Sequence, residues 1–204
     1  MSSLALNNYS TFVDRMKVEC GDRSCPIWLL VNPKNPADIY DIWTPIIYEI
    51  QDKIYRKLHA RIDSRNIFVK NAISDIGRVS NASNCWALEI TKEIVLLRES
   101  VLKHQPKIVI TLGAVTNEFV RRVLDIRPEN ESKYWNTSNL GEEFERSISN
   151  FDVNQTNWIP LLRRVTKSDN PIKDWEDSEI YYRDVAAKIA DRIIENKDSL
   201  KIWI

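Results

Sequence analysis

Long apolar runs are missing from this chain. Nothing in its 204 residues approaches the roughly 20 consecutive apolar side chains of a membrane span. The first ten residues, MSSLALNNYS, lack the basic-then-apolar layout of a secretory signal, so cytoplasmic residence and no membrane partner are expected. Cysteine is scarce and odd in number. Cys20 and Cys25 are separated by more than a zinc knuckle allows, Cys85 stands alone, and no paired cysteines or histidines follow. Neither a metal nor a cofactor is expected, and the thiols read as buried or idle. Net charge is also absent, with 29 basic against 29 acidic side chains. That argues against a protein that grips long nucleic acid mainly through its field. A local basic cleft stays open, because Lys103, Lys107, Arg121, Arg122, Arg163, Arg164 and Lys167 gather near expected element ends. There is no internal repeat and no low-complexity tract.

What is present is the composition of an ordinary globule, 43% hydrophobic and 28% charged, of a length that suits one domain over 1–204. Residues 1–25 read as a lead with a short helix around Thr11–Val18. Pro26 introduces IWLLV, an apolar run too short for a helix, and NPKNPAD stops it. From Ile39 to Leu58 apolar residues recur at helical spacing. A second strand is expected over Asn66–Lys70 and Ala72–Ile73, then a loop over Ser74–Asn84. Ser83 or Asn84 caps a helix from about Cys85 to Lys103. Pro106 ends that helix and KIVITL follows as a strand. Gly113 then turns the chain into a helix over about Ala114–Leu124. Residues 125–156 read as a polar, irregular excursion with one short helix near Gly141–Ile148. Trp158–Leu162 is the fourth strand, and a helix over about Ser178–Asn196 closes the chain. This alternation predicts an α/β fold with a parallel sheet and helices on both faces.

In such a sheet ligands sit outside the carboxyl ends of the strands, so polar residues directly after strand runs are the candidates for chemistry. Asn32 and Pro33 follow the first run. A carboxamide can accept from and donate to one water, and proline fixes the turn. Asn71 ends the second run, and its planar acceptor and donors match a pyrimidine edge. Gly113 opens a helix whose first amides can face an anion. Arg163 and Arg164 follow the fourth run, where guanidinium groups suit phosphate. Each has an ordinary alternative: a turn, a satisfied loop, chain punctuation, or a solvated ion-pairing face.

Taken in order, these segments resemble the uracil-DNA glycosylase superfamily across roughly residues 26–165. LLVNPK is similar to the Asn-Pro turn of its mismatch-specific and single-strand-selective branches. IFVKNAI is similar to the strand that ends in a base-reading Asn, and PKIVITLGAVTNEFV to the strand that ends in Leu-Gly. The resemblance implies a three-layer sandwich around a central four-stranded parallel sheet. It implies DNA as partner, single- or double-stranded, with a uracil-like or modified base flipped out and its N-glycosidic bond hydrolysed without metal. Asn32 then positions water, Asn71 reads the base, Tyr40 or Trp43 stacks on it, and Arg163 stabilises the departing base. Two departures stand out. Val31 and Lys34 replace the glycines that flank the family's Asn-Pro, and Arg163-Arg164-Val165 replace its His-Pro-Ser.

Two rival readings remain at this stage. One is a catalytically inactive superfamily member that binds nucleotide, modified DNA or a protein partner. The other is an unrelated adaptor domain presenting Trp135, Trp158, Trp175 and Trp203 at an interface.

Overall fold

A computed structural model of the protein describes residues 19–32, 38–73, 88–126, 134–163 and 171–204, without the side chains of 38–42, 88–89 and 171–178. In chain order the elements are β1 (Glu19–Cys20), β2 (Ile27–Val31), α1 (Asp38–Leu58), β3 (Phe68–Asn71), α2 (Leu88–His104), β4 (Ile108–Leu112), α3 (Ala114–Val123), α4 (Thr137–Ser149), β5 (Asn157–Leu161), α5 (Pro171–Glu195) and α6 (Lys197–Leu200).

The strands form one sheet in the order β1-β3-β2-β4-β5. β3, β2, β4 and β5 are mutually parallel, as expected. Strand parity divides their side chains between two cores. Ile27, Leu29, Val31, Val69, Ile108, Ile110, Ile159 and Leu161 join Ile46, Ile50 and Ile54 of α1 and Val185 and Ile189 of α5. Trp28, Leu30, Phe68, Val109 and Trp158 face the other way, toward Ile90 and Leu97 of α2 and Phe119 and Val120 of α3. With both faces covered, the strands have no polar side to alternate with, which is why they read as continuous apolar runs.

The sheet is mixed, which corrects the expectation of four parallel strands alone. Residues assigned to an N-terminal lead include β1, antiparallel to β3 with Glu19 opposite Lys70 and Cys20 opposite Val69. Gly21 makes this possible. It holds φ at +84°, and a Cβ there would lie 2.0 Å from the Ile67 carbonyl oxygen. The helix expected at Thr11–Val18 lies outside the described residues.

The excursion at 125–156 is also more regular than expected, because α4 fills 137–149. Leu140, Phe144 and Ile148 recur every four residues and are buried. The Asn136 side chain accepts the Asn139 N–H as N-cap (3.0 Å). The last long helix begins at Pro171, well before Ser178. Proline at a first helical position loses nothing, because its missing N–H has no intrahelical partner there. Among the described residues no helix is long and apolar enough to cross a membrane.

Candidate functional site

The strand order creates a switch point. From β2 the chain passes through α1 to β3 on one side, then through α2 back across to β4 on the other. The connections diverge between β2 and β4, and a crevice is expected outside their carboxyl ends. Asn32 directly follows β2, and Gly113 directly follows β4. Asn71 is the last residue of β3, in register with Val31. Arg163 lies two residues beyond β5. All four therefore stand at one rim of the sheet, on both sides of the switch point.

Hydrogen bonds lace this rim together. The Ala72 N–H donates to the Val31 carbonyl and the Gly113 N–H to the Leu161 carbonyl, both at 2.9 Å. The Asn32 side chain accepts the Ile73 N–H through Oδ1 at 3.2 Å, which ties the turn after β2 to the chain leaving β3. Arg163 reaches farthest. Its Nη1 donates to the Asn32 carbonyl at 3.0 Å, so it spans from β5 past β4 to β2.

Gly113 clears the route for that side chain. At φ +91° and ψ 160° it occupies backbone space that is essentially reserved for glycine. A Cβ there would come within 3.3 Å of the Arg163 Cβ and 3.9 Å of its Cδ. Gly113 also serves as N-cap of α3, with no side-chain cap and no acidic residue in the first turn. Its first-turn amides thus add positive potential beside the guanidinium.

Asn32 and Asn71 are both buried, each less than a tenth exposed. Arg163 is half-buried. Trp43 is half-buried as well and packs against the core shared by α1 and α5. Tyr40 lies in the first turn of α1, with its side chain outside the described residues. Pro33 and Arg164 fall outside them altogether.

Two tyrosines invisible to the sequence reading hold the end of β5. The Leu162 N–H donates to the Tyr181 hydroxyl at 2.9 Å, and the Tyr182 hydroxyl donates to the Arg163 carbonyl. Burial pushes the Tyr181 phenol up to about 12, against a smaller lowering by the Leu162 N–H. The adjacent tyrosines in the final helix were the one available signal, but nothing local says which strand end they meet.

The remaining candidates divide plainly. Arg121 is buried and Arg122 half-buried, and both are turned onto Glu118 rather than onto a basic cleft. The Glu118 carboxylate, wholly buried, lies 3.6 Å from Arg121 and 3.0 Å from Arg122, and accepts the Trp135 indole N–H at 2.8 Å. The Arg121 guanidinium stands 4.8 Å from the Trp135 ring and 5.9 Å from the Trp158 ring. Both tryptophans are buried, so neither serves the interface that the adaptor reading needs. Trp203 donates to the Lys197 carbonyl, and the Trp175 side chain is not among those described.

Cys25 is buried and Cys20 half-buried, and burial pushes both thiols up. Cys85 is outside the described residues. Among those residues no three His, Cys, Asp or Glu gather as a metal-holding group.

No protein-family model matches the chain, and no curated protein matches it in sequence.

Proposed function

We propose that the protein is a divergent uracil-DNA glycosylase-like enzyme whose rim crevice takes a uracil-like or modified base flipped from DNA and hydrolyses its N-glycosidic bond. The observation that carries this reading is the gathering of Asn32, Asn71, Gly113 and Arg163 at the carboxyl ends of adjacent strands, around the switch point.

Each group has a task in that chemistry. The Asn71 carboxamide pairs with the polar edge of the extruded base. The Asn32 oxygen has two lone pairs, one taken by the Ile73 N–H; the other accepts from a water and aims it at the sugar carbon. As the glycosidic bond breaks, its electron pair leaves with the base, the water oxygen bonds to the sugar carbon, and a proton passes to the base. Arg163 engages one N–H on the Asn32 carbonyl and has four more to oppose charge on the departing base. The amides that open α3 suit a backbone phosphate.

The test is release of base from oligonucleotides bearing uracil, mismatches or modified bases, single- and double-stranded, read as abasic sites. Wild-type protein is expected to cleave at least one of them, and Asn32→Ala to lower the yield at least a hundredfold with unchanged fold. Equal yields from both proteins would remove Asn32 from the mechanism, and no cleavage of any substrate would remove the enzyme.

A second reading is a binding protein of the same fold without catalysis. It is favoured by the main-chain bonds that occupy Arg163 and Asn32. Val31 and Lys34, standing where the family has glycines, point the same way. Tight binding of these oligonucleotides without abasic product distinguishes it.

A further inference from the structure

A concavity lies between α2 and the β1–β3 edge of the sheet, with a volume of about 410 Å³. Strand parity turns Phe68, Lys70 and Ala72 toward it, and helical spacing brings Leu97, Ser100 and His104 of α2 to its other wall. Its volume falls within the usual range for small-molecule sites, roughly 300–1,000 Å³.

The lining is amphipathic in an ordered way. Phe68, Ala72 and Leu97 make a buried apolar floor, and Leu96 on the wall is 65% exposed, an apolar side chain presented at the groove. The cations gather around Phe68 and the last turn of α2. Arg23 stands 5.6 Å from the Phe68 ring, and Lys103 lies in the last turn of the helix. Arg23 and Lys70 share one carboxylate, that of Glu19, at 2.6 and 3.5 Å. Of the lining acids, Glu93 is about 15 Å from Lys103 along the helix axis and Glu99 about 6 Å, one turn before it. Three basic side chains, Arg23, Lys70 and Lys103, thus stand at one end of an apolar trough, with Glu19 bound to the first two.

We propose that this groove is a second ligand site, for a small amphipathic anion with its apolar body over Phe68, Leu96 and Leu97 and its acidic head among Arg23, Lys70 and Lys103. The site stands apart from the glycosylase reading, since it uses none of Asn32, Asn71, Gly113 or Arg163.

The test titrates the full chain with the anionic dye 8-anilinonaphthalene-1-sulfonate and with its neutral counterpart N-phenyl-1-naphthylamine, near-UV circular dichroism confirming the native fold. One saturable site for the anionic dye is expected, displaced by decanoate. Lys103→Glu, on an exposed position, is expected to weaken the anionic dye at least tenfold and the neutral dye less than twofold. Ser100→Trp fills the trough and abolishes binding of both. Failure of the dye to saturate wild-type protein overturns the proposal, as does unchanged affinity in Lys103→Glu. Unchanged affinity in Ser100→Trp does so too, by assigning the dye elsewhere. Concentration-dependent dimerisation that Ser100→Trp abolishes, without dye binding, gives the groove to a second copy of the chain instead. Should Ser100→Trp not fold, Leu97→Ala takes its place, with a fivefold or greater loss expected for both dyes.

Discussion

The Arg163 guanidinium donates to the Asn32 carbonyl at 3.0 Å, joining two residues 131 positions apart. Its side chain crosses the switch point, so it ties β5 to β2 and brings positive charge to this rim of the sheet. A hydrogen bond from a charged donor contributes about 1.5–3 kcal/mol when buried, and half-burial reduces that. Arg163→Ala is expected to destabilise the protein by about 1 kcal/mol. It is also expected to weaken oligonucleotide binding at least tenfold, read by fluorescence anisotropy. Unchanged affinity would show that the guanidinium serves only as a tie.

Gly113 makes that crossing possible, and the cost of replacing it follows from two separate strains. Alanine would have to hold φ +91°, and its Cβ would press on the Arg163 side chain at 3.3 Å. Such backbone strain costs about 1–3 kcal/mol. Gly113→Ala is expected to lose about 2 kcal/mol in denaturant unfolding. In the double variant with Arg163→Gly, which removes the Cβ that is met at 3.3 Å, the contact part of the loss should disappear and the backbone part remain. Strict additivity of the two losses would mean that Gly113 and Arg163 do not interact.

Much of this arrangement is legible in the sequence, for identifiable reasons. IWLLV and IVITL announce buried parallel strands because both faces are covered, and a strand run also marks its own carboxyl end. Asn32, Asn71, Gly113 and Arg163 can therefore be assigned to strand ends from sequence alone. Their convergence is a matter of lateral strand order, which local pattern does not encode. β1 escapes notice because Glu19 and Cys20 are too few to carry an alternation. The helix expected near Gly141–Ile148 is present as α4, and only its first turn, where Leu140 is the one buried residue ahead of Gly141, escapes the pattern. Pro171 reads as a turn residue among SDNPIKD, yet it is the first residue of α5. The tyrosine clamp on Leu162 and Arg163 depends on how a late helix docks, so nothing in its neighbourhood reveals it.

That clamp gives the protein a signature at alkaline pH. The Tyr181 phenol, ordinarily near 10, is raised to about 12 in the folded state because burial disfavours the phenolate. Below pH 10 both folded and unfolded chains hold the proton, and its contribution is complete. Above that the unfolded chain releases the proton first, so stability falls as pH rises from about 10 to about 12, by roughly 2–3 kcal/mol. Tyr181→Phe is expected to remove this part of the decline. At neutral pH it should cost about 1 kcal/mol for the lost acceptor of the Leu162 N–H. The check is urea unfolding of both proteins at pH 8, 10 and 11. Identical slopes against pH would contradict the assignment.

The Glu118 cluster sets a different expectation, because its carboxylate is fully enclosed. The carboxylate faces two guanidinium groups and an indole N–H inside the second core. Removing one partner from a buried ionic group typically costs about 3–5 kcal/mol, since the remaining charge keeps its desolvation penalty. Glu118→Ala is expected in that range, and Glu118→Gln should lose less because the amide oxygen still accepts from Trp135. Near-UV circular dichroism of Trp135 and Trp158 reports whether the cluster has opened. A loss below 1 kcal/mol in Glu118→Ala would mean that the carboxylate is not held in the interior.

One turn along α3 from Gly113, Asn117 is completely buried, and neither polar atom of its carboxamide has a hydrogen-bond partner among the described residues. Thr116 Oγ1 beside it is in the same condition. An unsatisfied buried polar group costs about 1–3 kcal/mol, so an apolar residue of equal size should be preferred at this position on stability alone. Asn117→Leu is expected to raise the unfolding free energy by about 1 kcal/mol, measured in urea at pH 7. Thr116→Val should act in the same direction with a smaller gain. Helical side chains lean toward the N-terminus, so the Asn117 carboxamide sits over the turn that begins at Gly113. Retaining a costly amide there makes sense if the rim uses it. The decisive comparison is therefore oligonucleotide affinity in the stabilised Asn117→Leu protein, where a tenfold loss is expected. A variant that is both more stable and equally tight would show the amide to be dispensable.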